Sequence, residues 1–188
     1  MSRPRFLFLA YLGWGVFSAP GTHGQPAKPS ENQVKAAYIY NFGKFVKWPT
    51  VSAANQSGTF TICVLDGDPF GTVLESSLAG ESIGSKLVTI KRIPKLQDAT
   101  TCHILFLNTA EKDHLREILT SLGQASVLTV SDIPDFSKRG GMIQFVLQGD
   151  RVRFEINRAS AEGNGLILAS DLLKVAAVVR ETARPGEQ

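Results

Sequence analysis

Residues 34–49, VKAAYIYNFGKFVKWP, form the most strongly patterned stretch of the chain. Set at roughly 100° per residue, Val34, Ala37, Tyr38, Ile39, Asn41, Phe42, Phe45, Val46 and Trp48 fall on one arc of roughly 200°. A single core requires a stripe of only ~100°. The stretch carries five aromatics and three lysines but no acid, and Trp48-Pro49 ends it. Ala36, Gly43, Lys44 and Lys47 lie outside the arc. The helix is then either a core element with a generous face or one that also docks on a second surface. A partner or a second copy of the chain would be met by Ala36, Tyr40, Gly43, Lys44 and Lys47.

Alternation and short apolar runs predict strands over 59–65, 87–93, 102–107, 127–130, 142–147 and 151–156. Helices are predicted over 69–78, opened by Asp68 and Pro69; over 111–122, closed by Gly123; and over 171–180, capped by Ser170. Residues 159–162 fit one helical turn, 80–85 a turn and 131–141 a polar loop. Gln148-Gly149-Asp150 marks a tight hairpin between the last two strands. The order calls for a single α/β domain: a mixed, mostly parallel sheet of about six strands, helices on both faces, and a C-terminal hairpin plus helix.

The N-terminus changes the picture of where the chain works. Ser2-Arg3-Pro4-Arg5 is a basic lead, residues 6–17 are apolar, and Thr22-His23-Gly24 supplies small residues for cleavage. Residues 1–24 thus read as a secretory signal, 31–180 as the domain and 181–188 as a frayed tail. Loss of Arg3 and Arg5 leaves 18 basic side chains against 17 acidic, so the positive balance belongs largely to the signal. A net charge of +1 gives no nucleic-acid-sized basic surface. No later run reaches the eighteen apolar residues of a spanning helix, so no membrane insertion is expected after cleavage.

Two cysteines, Cys63 and Cys102, each sit at or near the start of an apolar run. In an exported chain they form one disulfide if those strands are neighbours, and otherwise two separate buried thiols. Catalytic signals are weak. Gly80-Glu81-Ser82-Ile83-Gly84 fits the nucleophile-elbow string but lies between a helix and a strand, the reverse of the order an elbow needs. Gly67-Asp68-Pro69-Phe70-Gly71 opens a predicted helix, yet Asp68 would repel a phosphate there. His23, His103 and His114 have no metal-ligand spacing, Asp132 and Asp135 no calcium spacing, and no cofactor motif is present. The strand 151–157 alternates strictly, with Val152, Phe154 and Ile156 facing a core. Its other face is either a solvated surface with cross-strand ion pairs or a shelf for a small anion. Such a shelf would be built from Arg153, Glu155 and Asn157, with Arg139, Gly140 and Gly141 folded over it.

Several strings taken together resemble the YfiR family of bacterial periplasmic proteins: Val34–Phe42 with Lys47-Trp48-Pro49, Cys63-Val64-Leu65 with Asp68-Pro69-Phe70-Gly71, Cys102–Phe106, Val127–Asp132, Gly140–Ile143, Arg151–Asn157 and Leu172–Ala176. The resemblance implies a non-catalytic periplasmic α/β domain without a cofactor. It would bind the periplasmic part of a membrane-bound diguanylate cyclase or other sensor protein and so restrain cyclic di-GMP output and biofilm formation. An outer-membrane lipoprotein able to draw the repressor away is also implied. Cys63 and Cys102 stand where the family has an inter-strand disulfide. A further cysteine pair known in one relative is missing, so gating through a second bridge is not implied. A periplasmic domain that binds a small molecule on the Arg153 shelf is the alternative.

Overall fold

The computed structural model describes residues 28–181; the predicted signal and the tail beyond 181 lie outside them. Helix α1 (Glu31–Phe45) opens the domain. Its Ser30 hydroxyl accepts from the Gln33 amide while the Gln33 side chain accepts from Ser30 N–H, a complete capping box. The helix ends three residues before Trp48, because Val46 is extended (φ −111°, ψ 140°) and starts a two-residue strand β1 (Val46–Lys47).

The main sheet runs through β2 (Thr59–Leu65), β3 (Ser82–Ile83), β4 (Lys86–Ile93), β5 (Ile104–Leu107), β6 (Leu128–Ser131), β7 (Ile143–Gln148), β8 (Arg151–Asn157) and β10 (Val178–Arg180). Its spatial order is β10-β8-β7-β6-β5-β2-β4-β3. The pairs β2–β4, β2–β5, β5–β6 and β6–β7 are parallel, and β7–β8 is the expected antiparallel hairpin. A separate ribbon joins β1 to β9 (Ile167–Leu168). The remaining helices are α2 (Val73–Leu78), α3 (Leu115–Leu122), α4 (Arg158–Gly163) and α5 (Ser170–Val175).

The period-two pattern of the parallel strands divides the core between the two faces. Ile62, Val64, Ile104, Phe106, Leu128 and Val130 meet α1 and α2 on one side. Cys63, Leu65, Leu105 and Leu107 meet α3 on the other, through Leu115, Ile118, Leu119 and Leu122. The mixed α/β sheet with helices on both faces is therefore present, with eight strands rather than six. The two extra strands are short edges. Ser82–Ile83 had read as a turn, and Val178–Arg180 as the end of a helix. Ala176 turns extended, and Val178-Val179 pair in parallel with the open edge of β8; β-branched residues at an unpaired edge favour that outcome over another helical turn. Ser170 is not a cap, since Ala169 holds that position without a side-chain bond. Helix α2 starts at Val73, not Pro69, because Gly71 takes φ +57° and Asp68 is used in a local turn, accepting from Phe70 N–H at 2.8 Å.

Cys63 on β2 and Cys102, just before β5, form a disulfide across neighbouring strands, with Cα atoms 5.9 Å apart and both side chains fully buried. Closing a loop of 39 residues contributes roughly 4 kcal/mol in the chain-entropy account. His103 follows directly. Its ring stacks on Phe60 (centroids 4.3 Å apart) with Trp48 edge-on at 5.6 Å. Its Nδ1 accepts from Thr61 N–H at 3.1 Å, which places the proton on Nε2. The ring thus serves as a backbone-like acceptor where the β2–β5 ladder begins. Burial, aided by the charge of Lys86, pushes its pKa down to about 4.

Two outcomes test this packing. Gly43 of α1 passes so close to β2 and β3 that a Cβ would lie 2.3 Å from Ile83 Cδ1 and 3.0 Å from the Phe60 ring. Gly43→Leu should cost about 1–3 kcal/mol in chemical denaturation; an unchanged midpoint would mean that the helix does not lie that close. The neutral form of His103 is the one the fold favours. Its contribution is complete above its unfolded pKa, ordinarily near 6.5, and is lost as pH falls towards about 4. The stability difference between the wild type and His103→Gln should shift against the wild type by up to about 3 kcal/mol across that window. A pH-independent difference would contradict the burial of the ring.

Candidate functional site

The residues proposed for the anion shelf are brought together, but around the protein's own groups. Glu155 accepts from Arg180 Nη2 of β10 and from the Ser137 hydroxyl, both at 2.9 Å. Ser137 and Gln144 are hydrogen-bonded to each other beside it. Asn157 is buried, donates to Ser137 O at 2.8 Å and accepts from Ser160 N–H at 3.0 Å. Gly141 lies against the Phe136 ring, where a Cβ would stand 2.1 Å away, and Gly140 has φ +99°. The two arginines are spent elsewhere, Arg139 on the Lys112 carbonyl and Arg153 on the Val175 carbonyl. Glu155 and Asn157 are thus engaged by the loop before β7, by the start of α4 and by β10. Arg180 was missed because the tail strand was read as helix; Ser137, in the loop before β7, and Gln144, on β7, carry no local signal of this contact.

The contact residues on α1 divide. Ala36 and Gly43 are buried in the core, against the expectation that they form a surface patch. The reason is the rotation of the helix. Phe42 packs edge-on to Phe154 at 5.0 Å and Tyr38 to the same ring at 5.2 Å, which turns Ala36, Ile39 and Gly43 inward and leaves Ala37 and Asn41 outward. Tyr40 hydrogen-bonds Glu81 through its hydroxyl, with the Lys44 ammonium 4.1 Å above its ring. Lys44 and Lys47 are exposed, as are Phe45 and, across the ribbon, Ile167. Tyr40, Lys44 and Lys47 are the part of the patch that the fold leaves accessible.

Helix α1 also buries a charge that the pattern did not flag. Lys35 is 6 % exposed on the same face as Ile39 and Phe42. Its Nζ lies 2.6 Å from a Glu31 carboxylate oxygen and 2.9 Å from Asp132 Oδ2, with the Phe145 ring centroid at 5.9 Å. Burial opposes the charge, but the hydrogen bonds that Lys35 donates to Glu31 and Asp132 outweigh it and raise the lysine pKa. The signal available in the sequence was the i, i+4 Glu31–Lys35 pair on an otherwise apolar face. The three charges line a cavity of about 340 Å³. Its walls include Phe145, Leu147 and Val152 of the hairpin. A larger, more open hollow of about 820 Å³, with Tyr38, Arg151 and Arg153 on its walls, adjoins it.

Ser82 of the elbow-like string sits exposed on edge strand β3, not on a strand-to-helix turn. Among the described residues no group of three or more His, Cys, Asp or Glu side chains is placed to hold a metal. No described helix is long and apolar enough to cross a membrane.

No curated protein matches the chain at a significant level. Among solved structures, an ABC domain in complex with L-Trp from Streptococcus pneumonia is similar at 11% identity and a TM-score of 0.47. That match covers 69% of this chain and 58% of the other, a likeness too distant to carry any argument. The profile of the YfiR/HmsC-like family matches residues 32–177, from the first turn of α1 to the edge of β10. With the mixed sheet and the Cys63–Cys102 bridge in place as that resemblance implied, the chain belongs to the YfiR/HmsC-like family.

Proposed function

We propose that the protein is a non-catalytic periplasmic regulator that binds a membrane-bound signalling partner, a diguanylate cyclase, and holds it inactive, limiting cyclic di-GMP and biofilm formation. The observation that carries this reading is the family match across nearly the whole domain. Residues 1–24, read as an export signal, and a fully buried disulfide both suit an oxidising compartment. Restraint requires only that the protein bind the inactive conformation of its partner more tightly than the active one. The contact we assign is the accessible strip of Tyr40, Lys44 and Lys47, continued by exposed Phe45 and Ile167. An apolar pair edged by lysines fits an acidic, partly apolar surface on the partner. An outer-membrane lipoprotein that competes for the same strip would relieve the restraint.

Deleting the gene in its native host should raise cellular cyclic di-GMP several-fold. Complementation with wild type should reverse the rise, whereas a Lys44→Glu/Lys47→Glu double variant of unchanged thermal stability should not. Unchanged cyclic di-GMP on deletion would overturn the cyclase reading. Full complementation by the double variant would overturn the assigned contact alone.

A further inference from the structure

Strand β4 lies one place in from the end of the sheet, and β3 covers only its beginning. Ser82 pairs with Leu87 and Ile83 with Lys86, and the last bond on that flank runs from Val88 N–H to Glu81 O at 2.9 Å. Beyond Val88 no described strand pairs with the outer flank of β4. The inner flank is filled by β2 as far as Ile93, whose carbonyl accepts from Asp66 N–H at 3.1 Å. Successive residues of a strand turn their backbone groups to opposite flanks. Thr89, Lys91 and Ile93 therefore bond inward to β2, and Ile90 and Arg92 direct N–H and C=O outward. These two donors and two acceptors stand in a row with no partner among the described residues. The ligand whose own groups match such a row is an extended polypeptide.

The side chains decide which polypeptide. Lys86 is held by the Asn55 carbonyl at 2.8 Å, and Arg92 by Asp68, Glu75 and the Gly71 carbonyl. Lys91 is exposed and has no ion pair among the described residues. Ile90, on the other face, is half-buried against the core under α1 and α2. A second copy fits this edge poorly. Antiparallel pairing of Ile90 with Arg92 of the other copy sets the two Lys91 side chains directly opposite, and like charges so placed are destabilising. Pairing Ile90 with itself puts the other copy's Arg92 against Val88, the place Glu81 already holds. Pairing Arg92 with itself puts Pro94, which has no N–H, against Ile90. A lysine on an open edge guards against self-association, and the same charge favours a strand with an acid at that place.

We propose that the open edge of β4 is a docking site for an extended segment of another protein. The segment bonds through its backbone to Ile90 and Arg92, sets an acidic side chain beside Lys91 and lays an apolar one beside Ile90. The site is separate from the Lys44/Lys47 strip and stands whether or not the partner is a cyclase.

Titration of the mature protein with a blocked nine-residue peptide of alternating valine and glutamate, against one of valine and lysine, tests it. Saturable binding of the acidic peptide, at least tenfold tighter than the basic one, is expected. Lys91→Glu should reverse that preference, while Lys174→Glu, just before the opposite edge strand, should leave it unchanged. Amide hydrogen exchange reads the backbone contact. Ile90 and Arg92 should exchange fast in the free protein and at least tenfold more slowly with the acidic peptide, while Thr89 and Lys91 are slow in both states. Thermal unfolding shows whether Lys91→Glu is folded, and the exchange of the wild type decides the matter if it is not. No saturable binding up to millimolar concentration, equal losses in the two lysine variants, or no added protection at Ile90 and Arg92 would each overturn the proposal. Protection of those amides by raising the protein concentration alone would overturn it in favour of a second copy.

Discussion

The structure turns on one contact: the face of α1 pressed across the sheet, with Phe42 and Tyr38 interleaved with Phe145 and Phe154. Offset and edge-on aromatic pairs at such distances add to the large area each ring buries. That packing sets the rotation of the helix. It also decides which residues must be small, since Ala36 and Gly43 lie where the backbone runs closest to its neighbours. The same rotation carries Lys35 to the carboxyl ends of β5 and β6 and leaves Lys44 and Lys47 outside. The internal charge cluster and the external basic strip are thus two consequences of one docking geometry.

A second constraint works at the other end of the strands. The Cys63–Cys102 bridge, the His103 ring and Trp48 fix where β2 and β5 begin to pair. Trp48 donates to the His103 carbonyl at 3.1 Å, which ties the segment after α1 to the sheet. The chain leaving the helix is then held by the β1–β9 ribbon, so α1 is anchored at both ends.

The central parallel strands β2, β5 and β6 were legible because both faces are buried and their runs are largely apolar. The hairpin was legible because Gly149, at φ +58°, supplies its turn. The arc of α1 was misread because the aromatic contacts with Phe154 that set its rotation are long-range. Val46 and Trp48 were counted as helical when they belong to a strand and to a separate aromatic contact. The buried face runs instead through Lys35, Ala36, Ile39, Phe42 and Gly43, and Ala37 and Asn41 of the predicted arc lie outside it. The edge strands were illegible because two or three residues carry no period, and Val178-Val179 fit a helix face as well as a sheet edge until β8 is seen to need a neighbour. The Arg180–Glu155 contact was hidden for the same reason, since it exists only once that strand forms. Asp132 had been weighed only with Asp135, for calcium spacing; its pairing with Lys35 spans 97 residues, and no local pattern encodes it.

Helix α1 is an integral part of the core and not a detachable surface helix. Native-state hydrogen exchange tests this directly. The amides of Ile39, Phe42 and Gly43 should exchange only through global unfolding, with the same opening free energy as Phe154 and Ile156 of β8. Exchange of the α1 amides at much lower free energy while β8 stays protected would contradict it.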